Sequence, residues 1–147
     1  MKKFQFRLQT LLDIRISKEH AIKAELAMLI AKQNEEIAMQ EDYRKKVKEH
    51  YNKLSKKMRD GTFSYNEALM CERFAYNAQK AIDLSKKRVE QMQPEIDRVR
   101  QKLIQASKER KVVERLKEKK YEEYMYQFNR EMGKELDDLN QRIYNAM

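Results

Sequence analysis

The sequence predicts an all-α fold, an antiparallel two-helix coiled-coil hairpin whose second helix is the longer one. Three observations predict it. Charged residues form 39% of the 147 positions while Gly occurs twice and Pro once, a composition typical of long helices. Apolar residues recur three and four positions apart, the spacing of a coiled-coil seam. One turn signal, Asp60-Gly61, divides that pattern. We expect a single elongated coiled-coil domain over residues 1–147.

The first helix is predicted over residues 8–59. Its apolar positions run from Leu8 and Leu12 through Ile22 and Leu26, and the residues between them are mostly strong helix formers. Ahead of it, the stretch "FQFRLQ" alternates apolar and polar residues with period two, which is the spacing of a half-buried strand. The start of the chain therefore has a different character from the helix that follows.

The turn is predicted at residues 60–63. Asp60-Gly61 is a helix-stop signal, and Ser64 followed three residues later by Glu67 matches a capping box. In that motif the Ser64 hydroxyl accepts from the Glu67 amide, and the Glu67 carboxylate accepts from the Ser64 amide.

The second helix is predicted over residues 64–143, with a seam that starts at Leu69, Tyr76 and Gln79. Pro94 removes one backbone donor and crowds the preceding turn, so we expect it to kink or briefly interrupt this helix. Because the apolar spacing resumes on both sides of Pro94, we do not expect a domain boundary there.

A turn of a few residues requires the two helices to run antiparallel. Folding the chain about Gly61 sets Leu26 opposite Ile96 and Leu8 opposite Glu114. Residues beyond about Glu122 then have no partner helix, although they still carry an apolar stripe. We expect the chain to be monomeric alone, with the overhanging stripe covered by another molecule.

The charge leaves three interpretations open. The formal net charge is +9, and seven Lys or Arg against three Glu fall between Lys108 and Lys120. Such a stretch is typical of a solvated coiled-coil flank, but it also suits an acidic protein partner or a nucleic acid. No zinc finger, helix-turn-helix or RNA-binding sheet motif supports the nucleic-acid interpretation.

Other function classes are disfavoured by what the sequence lacks. It has no apolar run long enough to cross a bilayer and no secretory signal, so we expect a cytoplasmic protein. Its lone Cys71 and the distant His20 and His50 do not match a disulfide or a metal site. Phosphate-binding loops and nucleophile elbows are missing. We expect no enzyme activity, no cofactor, no metal and no small-molecule ligand.

Aromatic residues near the turn are a second candidate feature. With Leu69 and Tyr76 in the seam, Phe74 points nearly the opposite way, flanked by Ala78 and Ala81. Such residues are either isolated surface aromatics or a docking patch near the hairpin tip.

Three segments together resemble one family. The opening "FQFRLQTLLDIRISKEHAIKAELA", the basic "SKERKVVERLKEKKYEEY" and the closing "KELDDL" are similar, in this order and spacing, to the flagellar export protein family FliJ. The opening match rests on Phe4, Phe6, Leu8, Arg15 and Glu19 in particular. By this resemblance, the period-two opening is a frayed or flexible helix start with two aromatic anchors rather than a strand.

The resemblance implies a non-enzymatic stalk in the flagellar type III protein export apparatus. Members are antiparallel coiled coils that sit in the hexameric export ATPase ring, engage the membrane export-gate protein and escort empty export chaperones. The implied location is the cytoplasmic face of the inner membrane. A generic coiled-coil scaffold or chaperone, and a basic nucleic-acid binder, remain the alternatives.

The resemblance also assigns residues. The implied contacts with the ATPase are Phe4, Phe6, Leu8, Arg15, Lys111, Arg115, Leu116 and Lys117. The implied contacts with the export gate are Tyr43, Val47, Phe74, Ala78 and Ala81.

Overall fold

The computed structural model describes residues 2–147 and contains two long helices, α1 (Gln9–Arg59) and α2 (Tyr65–Ala146). They pack against each other as a helical hairpin, so the predicted all-α fold is confirmed. The chain divides into two compact units. The end unit contains the residues up to Ile22 and Lys102–Met147, and the tip unit contains Lys23–Gln101. Within residues 2–147, neither helix has a stretch that combines the length and the apolar character needed to span a bilayer.

The turn in the tip unit ends α1 through a glycine in the left-handed region. Gly61 has a φ of +73°, a conformation that only glycine adopts without strain. The Thr62 amide donates to the Lys57 carbonyl at 3.0 Å and the Gly61 amide donates to the Met58 carbonyl at 3.4 Å. These two bonds form a Schellman motif, which satisfies carbonyls that the last helical turn leaves free. The Asp60-Gly61 signal thus acts as predicted.

The predicted capping box does not close. One carboxylate oxygen of Glu67 accepts from the Lys57 ammonium at 2.8 Å, and the other has no hydrogen-bond partner within residues 2–147. Only the Ser64 carbonyl takes part in the start of α2, by accepting from the Ala68 amide at 3.2 Å. Glu67 therefore links the two helices across the turn instead of capping its own helix.

The seam of the tip unit differs from the predicted one on α2. Cys71, Ala78, Ile82 and Ser85 are buried there, whereas Tyr76 is 62% exposed. Buried positions lie seven residues apart at 71, 78 and 85, and the buried positions 82 and 96 are separated by two heptads with the half-buried Val89 between them, as in a regular coiled coil. The prediction followed the large apolar side chain of Tyr76, but small residues occupy the seam and the tyrosine lies outside it. The seam assignment of Tyr76 and Gln79 is therefore wrong.

Pro94 does not interrupt α2, which continues through it as α-helix. Just beyond it, Ile96 and Val99 are fully buried in the seam. Gln93, immediately before the proline, accepts from Gln33 of α1 at 3.0 Å and donates to Asp97 of α2 at 3.0 Å. Packing and side-chain hydrogen bonds on both sides thus offset the backbone bond that the proline removes.

Polar side chains form part of the tip-unit seam. Gln40 of α1 donates to the hydroxyl of Ser85 at 3.0 Å, and Ser85 in turn donates to the Glu36 carboxylate at 2.7 Å. Arg88 adds two charge-assisted bonds to Glu36, at 3.0 and 3.1 Å. The hydrogen bonds from Arg88 and then from Ser85 lower the pKa of Glu36 from its ordinary value. This cluster is satisfied, as a buried polar group requires.

The end unit contains a second polar cluster. Leu12 and Val113 are buried apolar residues of its seam, and Glu19 is buried beside them with only 4% of its surface exposed. Arg110 of α2 donates to the Glu19 carboxylate and, at 2.6 Å, to Glu114. These bonds, with Glu19 first, raise the pKa of Arg110. The buried Glu19 charge is thus compensated across the seam.

Candidate functional site

The residues before α1 form an irregular arm that packs on α2 through an aromatic cluster. The Phe4 ring meets Tyr121 edge to face at 5.3 Å and lies 5.5 Å from the ring of Tyr124. The Tyr124 hydroxyl donates to the Lys2 carbonyl at 2.7 Å, and the Phe128 ring stacks on Tyr124 at 6.2 Å. The arm is neither strand nor helix, and Phe4, one of the two aromatic anchors that the resemblance implies, contacts α2 through its ring.

The arm reaches further along α2 than predicted. Folding about Gly61 set Glu122 as the last paired residue of α2, but the contacts of Phe4 and Lys2 extend the pairing to Tyr124. The difference arises because the arm is extended rather than helical, so each of its residues spans a greater length. The last contact with the arm therefore lies two residues beyond the predicted position of about Glu122.

Two grooves are lined by residues of the arm. One, of about 420 Å³, is lined by Phe6, Leu8 and Leu116 together with the cationic Arg7 and Lys120. The other, of about 400 Å³, lies between the arm and Lys117. We call this combined surface the arm groove, and define it by Phe4, Phe6, Arg7, Leu8, Leu116, Lys117 and Lys120.

The structure brings together most of the residues assigned to the ATPase contact. Phe4, Phe6, Leu8, Leu116 and Lys117 all line the arm groove. Lys111 and Arg115 are exposed on α2 but do not line it. Arg15 is only half-exposed, because its guanidinium donates to the Glu109 carbonyl at 2.8 Å. Arg15 thus helps to join α1 to α2 in the end unit.

The charges of the arm groove are largely uncompensated. Neither Arg7 nor Lys117 makes an ion pair with any residue in the range 2–147. Lys120 lies 3.6 Å from Glu123, with both side chains more than half exposed. An exposed pair of this kind contributes little and exchanges readily for another partner. The surface therefore combines apolar side chains with available positive charge.

Beyond Phe128, α2 carries an apolar stripe without a cover from the described part of the chain. Met132, Leu136, Leu139 and Ile143 recur at helical spacing and are 44–55% exposed. Isolated exposed apolar residues are normal on a surface, but an aligned series is typical of an interaction site. We call these four residues the tail stripe.

The aromatic residues near the turn are oriented differently from the prediction. Phe74 is half-buried with its ring 4.5 Å from that of His50, and Ala78 is only 2% exposed. The prediction that Phe74 and Ala78 face away from the seam is wrong, because the seam follows the small residues on that side of α2. Tyr43, Val47 and Ala81 are half-buried. Phe74 lines a groove of about 330 Å³ together with His50, Leu54, Met70 and Cys71, and Tyr43, Val47 and Ala81 do not line it.

The predicted contact residues do not include Tyr121 or Tyr124. Their signal was the run "KYEEYMYQF", whose aromatic residues at 121, 124 and 128 share one helix face. Across residues 2–147, no cluster of three His, Cys, Asp or Glu side chains is arranged to hold a metal ion.

The sequence matches one known protein family over nearly its whole length. The model of the family described as flagellar FliJ protein matches residues 4–146. No curated protein and no solved structure gives a significant match. The family match spans the arm, both helices and the tail stripe. The chain therefore belongs to the flagellar FliJ protein family and is a component of the flagellar export apparatus.

Proposed function

We propose that this chain is the stalk of the flagellar export ATPase, bound in the hexameric ring through its end unit. The contacts are made by the residues that the family resemblance assigns: Phe4, Phe6, Leu8, Arg15, Lys111, Arg115, Leu116 and Lys117. The tip unit contacts the membrane export gate, so the chain couples the ATPase ring to the gate. The protein works at the cytoplasmic face of the inner membrane, is monomeric alone and escorts empty export chaperones.

The tail stripe is the observation that carries this proposal. Met132, Leu136, Leu139 and Ile143 continue the apolar spacing of α2 past the last contact with the arm, where a hairpin needs no apolar face. A helix that extends beyond its partner can enter the centre of a ring and bury such a face there. The exposed cations Lys111 and Arg115 on the same helix suit an acidic lining.

The gate contact is proposed for Tyr43, Val47, Phe74, Ala78 and Ala81. Because Ala78 is buried, it would act by setting the distance between the helices, whereas Phe74 lines the groove of the tip unit and can be touched directly. The nearby His50 and Leu54 line the same groove. An apolar side chain of the gate protein would fit there.

The test uses the purified full chain and the export ATPase of the same organism. Replacing Leu136 and Leu139 together by Ser removes half of the tail stripe without touching the seam. We expect loss of binding to the ATPase and loss of its stimulation, measured by calorimetry and by ATP hydrolysis. Because both side chains are more than half exposed, the melting temperature should be nearly unchanged.

The matched control is Val112→Ser with Tyr126→Ser. Both residues are apolar, lie on α2 and are 65% exposed, but they are not part of the stripe. The control should bind and stimulate the ATPase like the original chain. If the stripe variant also binds and stimulates normally, the chain is a coiled-coil scaffold of the apparatus and not its stalk.

A further inference from the structure

The arm groove has a composition that specifies the chemistry of what it binds. Its apolar lining comes from Phe6, Leu8 and Leu116, and the last two are each 37% exposed. Those side chains are too exposed to serve only as core, yet they are adjacent in space. A groove with a volume of about 420 Å³ and an apolar lining accommodates one or two apolar side chains of a partner.

Positive charge surrounds that lining. Arg7 and Lys120 line the same groove as Leu8, and Lys117 lines the second groove, which shares Phe4 and Phe6 with the first. Lys117 is half-buried and has no ion pair within residues 2–147. A partly desolvated ammonium without a counter-ion favours a carboxylate more than a fully solvated one does. No acidic side chain lines either groove.

From this geometry we propose that the arm groove receives an acidic peptide segment with an apolar anchor. An aliphatic or aromatic side chain of the segment lies on Phe6, Leu8 and Leu116, and a neighbouring Asp or Glu pairs with Lys117 or Arg7. The inference rests on the proposed function, in that the segment belongs to the export ATPase. It goes further by stating which kind of ATPase segment binds.

Phe4 then has a second role besides its proposed contact with the ATPase. Its ring is engaged with Tyr121 and Tyr124, so it is half-buried inside the chain. Phe4 is a positioning residue that fixes the arm on α2, and without it the two sides of the groove would separate. Phe6 and Leu8 make the contact.

The test measures the affinity of the full chain for the purified ATPase by calorimetry. Lys117→Gln should weaken binding about five-fold, the upper range for a partly exposed charge pair. Leu8→Ser removes part of the apolar surface and should weaken it about ten-fold, as expected for an interface anchor. Lys102→Gln, an exposed cation of α2 outside the groove, is the matched control and should bind normally. Circular dichroism checks that each variant is folded.

A photo-cross-linking side chain at Leu8 then identifies the segment. We expect the cross-link to fall on an ATPase segment with an apolar residue and an Asp or Glu within one helical turn of it. Reversing that acid to Lys should restore the affinity of Lys117→Glu. The inference is overturned if the original chain binds the ATPase but Lys117→Gln and Leu8→Ser bind as tightly as Lys102→Gln, or if the cross-linked segment has no acid. Absence of any binding by the original chain would instead refute the proposed function, and the inference with it.

Discussion

Gln40 of α1 donates a hydrogen bond to the hydroxyl of Ser85 of α2 at 3.0 Å, with both side chains buried in the seam. A coiled-coil seam is normally apolar. Ser85→Ala should lower the free energy of unfolding by about 1–3 kcal/mol, because it leaves the buried Gln40 amide without this acceptor. Ser85→Ala combined with Gln40→Leu should recover most of that loss, since neither polar group remains. Urea unfolding of the two single variants and the double variant measures this, and additive losses would contradict it.

Arg110 and Glu19 form the corresponding pair in the end unit. Arg110→Leu should lower the melting temperature by several degrees, because it takes the guanidinium away from a carboxylate that is only 4% exposed. Replacing both residues by Leu should restore the melting temperature or raise it. Glu114→Gln is the control, since Glu114 is more exposed than Glu19 and its loss should matter little. A double variant less stable than Arg110→Leu would disprove this account.

Glu36 should make the stability of the hairpin depend on pH. The hydrogen bonds from Arg88 and Ser85 lower its pKa below the ordinary value of 4.5. The resulting stabilisation is fully present above 4.5 and is lost as the pH falls through the lowered pKa. The urea midpoint of unfolding should therefore fall less steeply on acidification in Glu36→Gln than in the original chain. Glu25 is an exposed residue of α1, and Glu25→Gln should leave this decline unchanged. Identical acid profiles for Glu36→Gln and the original chain would count against this role.

Ala78 and Tyr76 test which face of α2 forms the seam. Ala78→Leu should lower the free energy of unfolding by about 1–3 kcal/mol, because a larger side chain is forced into a packed position. Tyr76→Ser should change it by less than about 0.5 kcal/mol, because that side chain is 62% exposed. Thermal unfolding compares the two. The reverse order of effects would restore the seam that the sequence predicts.

Phe4 should control how firmly the arm is attached. Phe4→Ala removes two ring contacts, each of a kind that contributes about 0.5–1.5 kcal/mol. Trypsin should then cleave after Arg7 faster, while the helices unfold at nearly the same temperature. Phe63→Ala, at the turn, is the control and should leave cleavage at Arg7 unchanged. An unaltered cleavage rate in Phe4→Ala would mean that other contacts hold the arm.

The hairpin could be predicted because its signals are local. The apolar spacing, the scarcity of Gly and Pro and the Asp60-Gly61 stop each act within a few residues. The face of α2 that forms the seam near the tip could not be predicted, because Tyr76 and Ala78 both fit a helical stripe of apolar residues. Only the fit between two helices decides that the small residue lies inside.

The residues of the candidate site divide in the same way, into those that local sequence patterns indicate and those that depend on the packing of distant segments. Phe4 and Leu116 carry a family pattern that the sequence displays directly. The contact of Phe4 with Tyr121 joins residues more than a hundred positions apart, and it depends on how far an irregular arm extends. The capping box at Ser64 and Glu67 could not be judged from the motif alone, because the Glu67 carboxylate binds the Lys57 ammonium of the neighbouring helix and not the Ser64 amide.

One part of the tip-unit seam combines small side chains on α2 with long polar ones on α1, beside the larger Ile82 and Ile96 of α2. Ala78 and Ser85 belong to α2, whereas Gln33, Glu36 and Gln40 belong to α1. Two α1 helices side by side would crowd these long side chains against each other and bring the Glu36 carboxylates together. Two α2 helices would leave space between their small residues. Each helix thus disfavours pairing with a second copy of itself and favours pairing with the other helix, which gives the seam specificity for an α1–α2 pair.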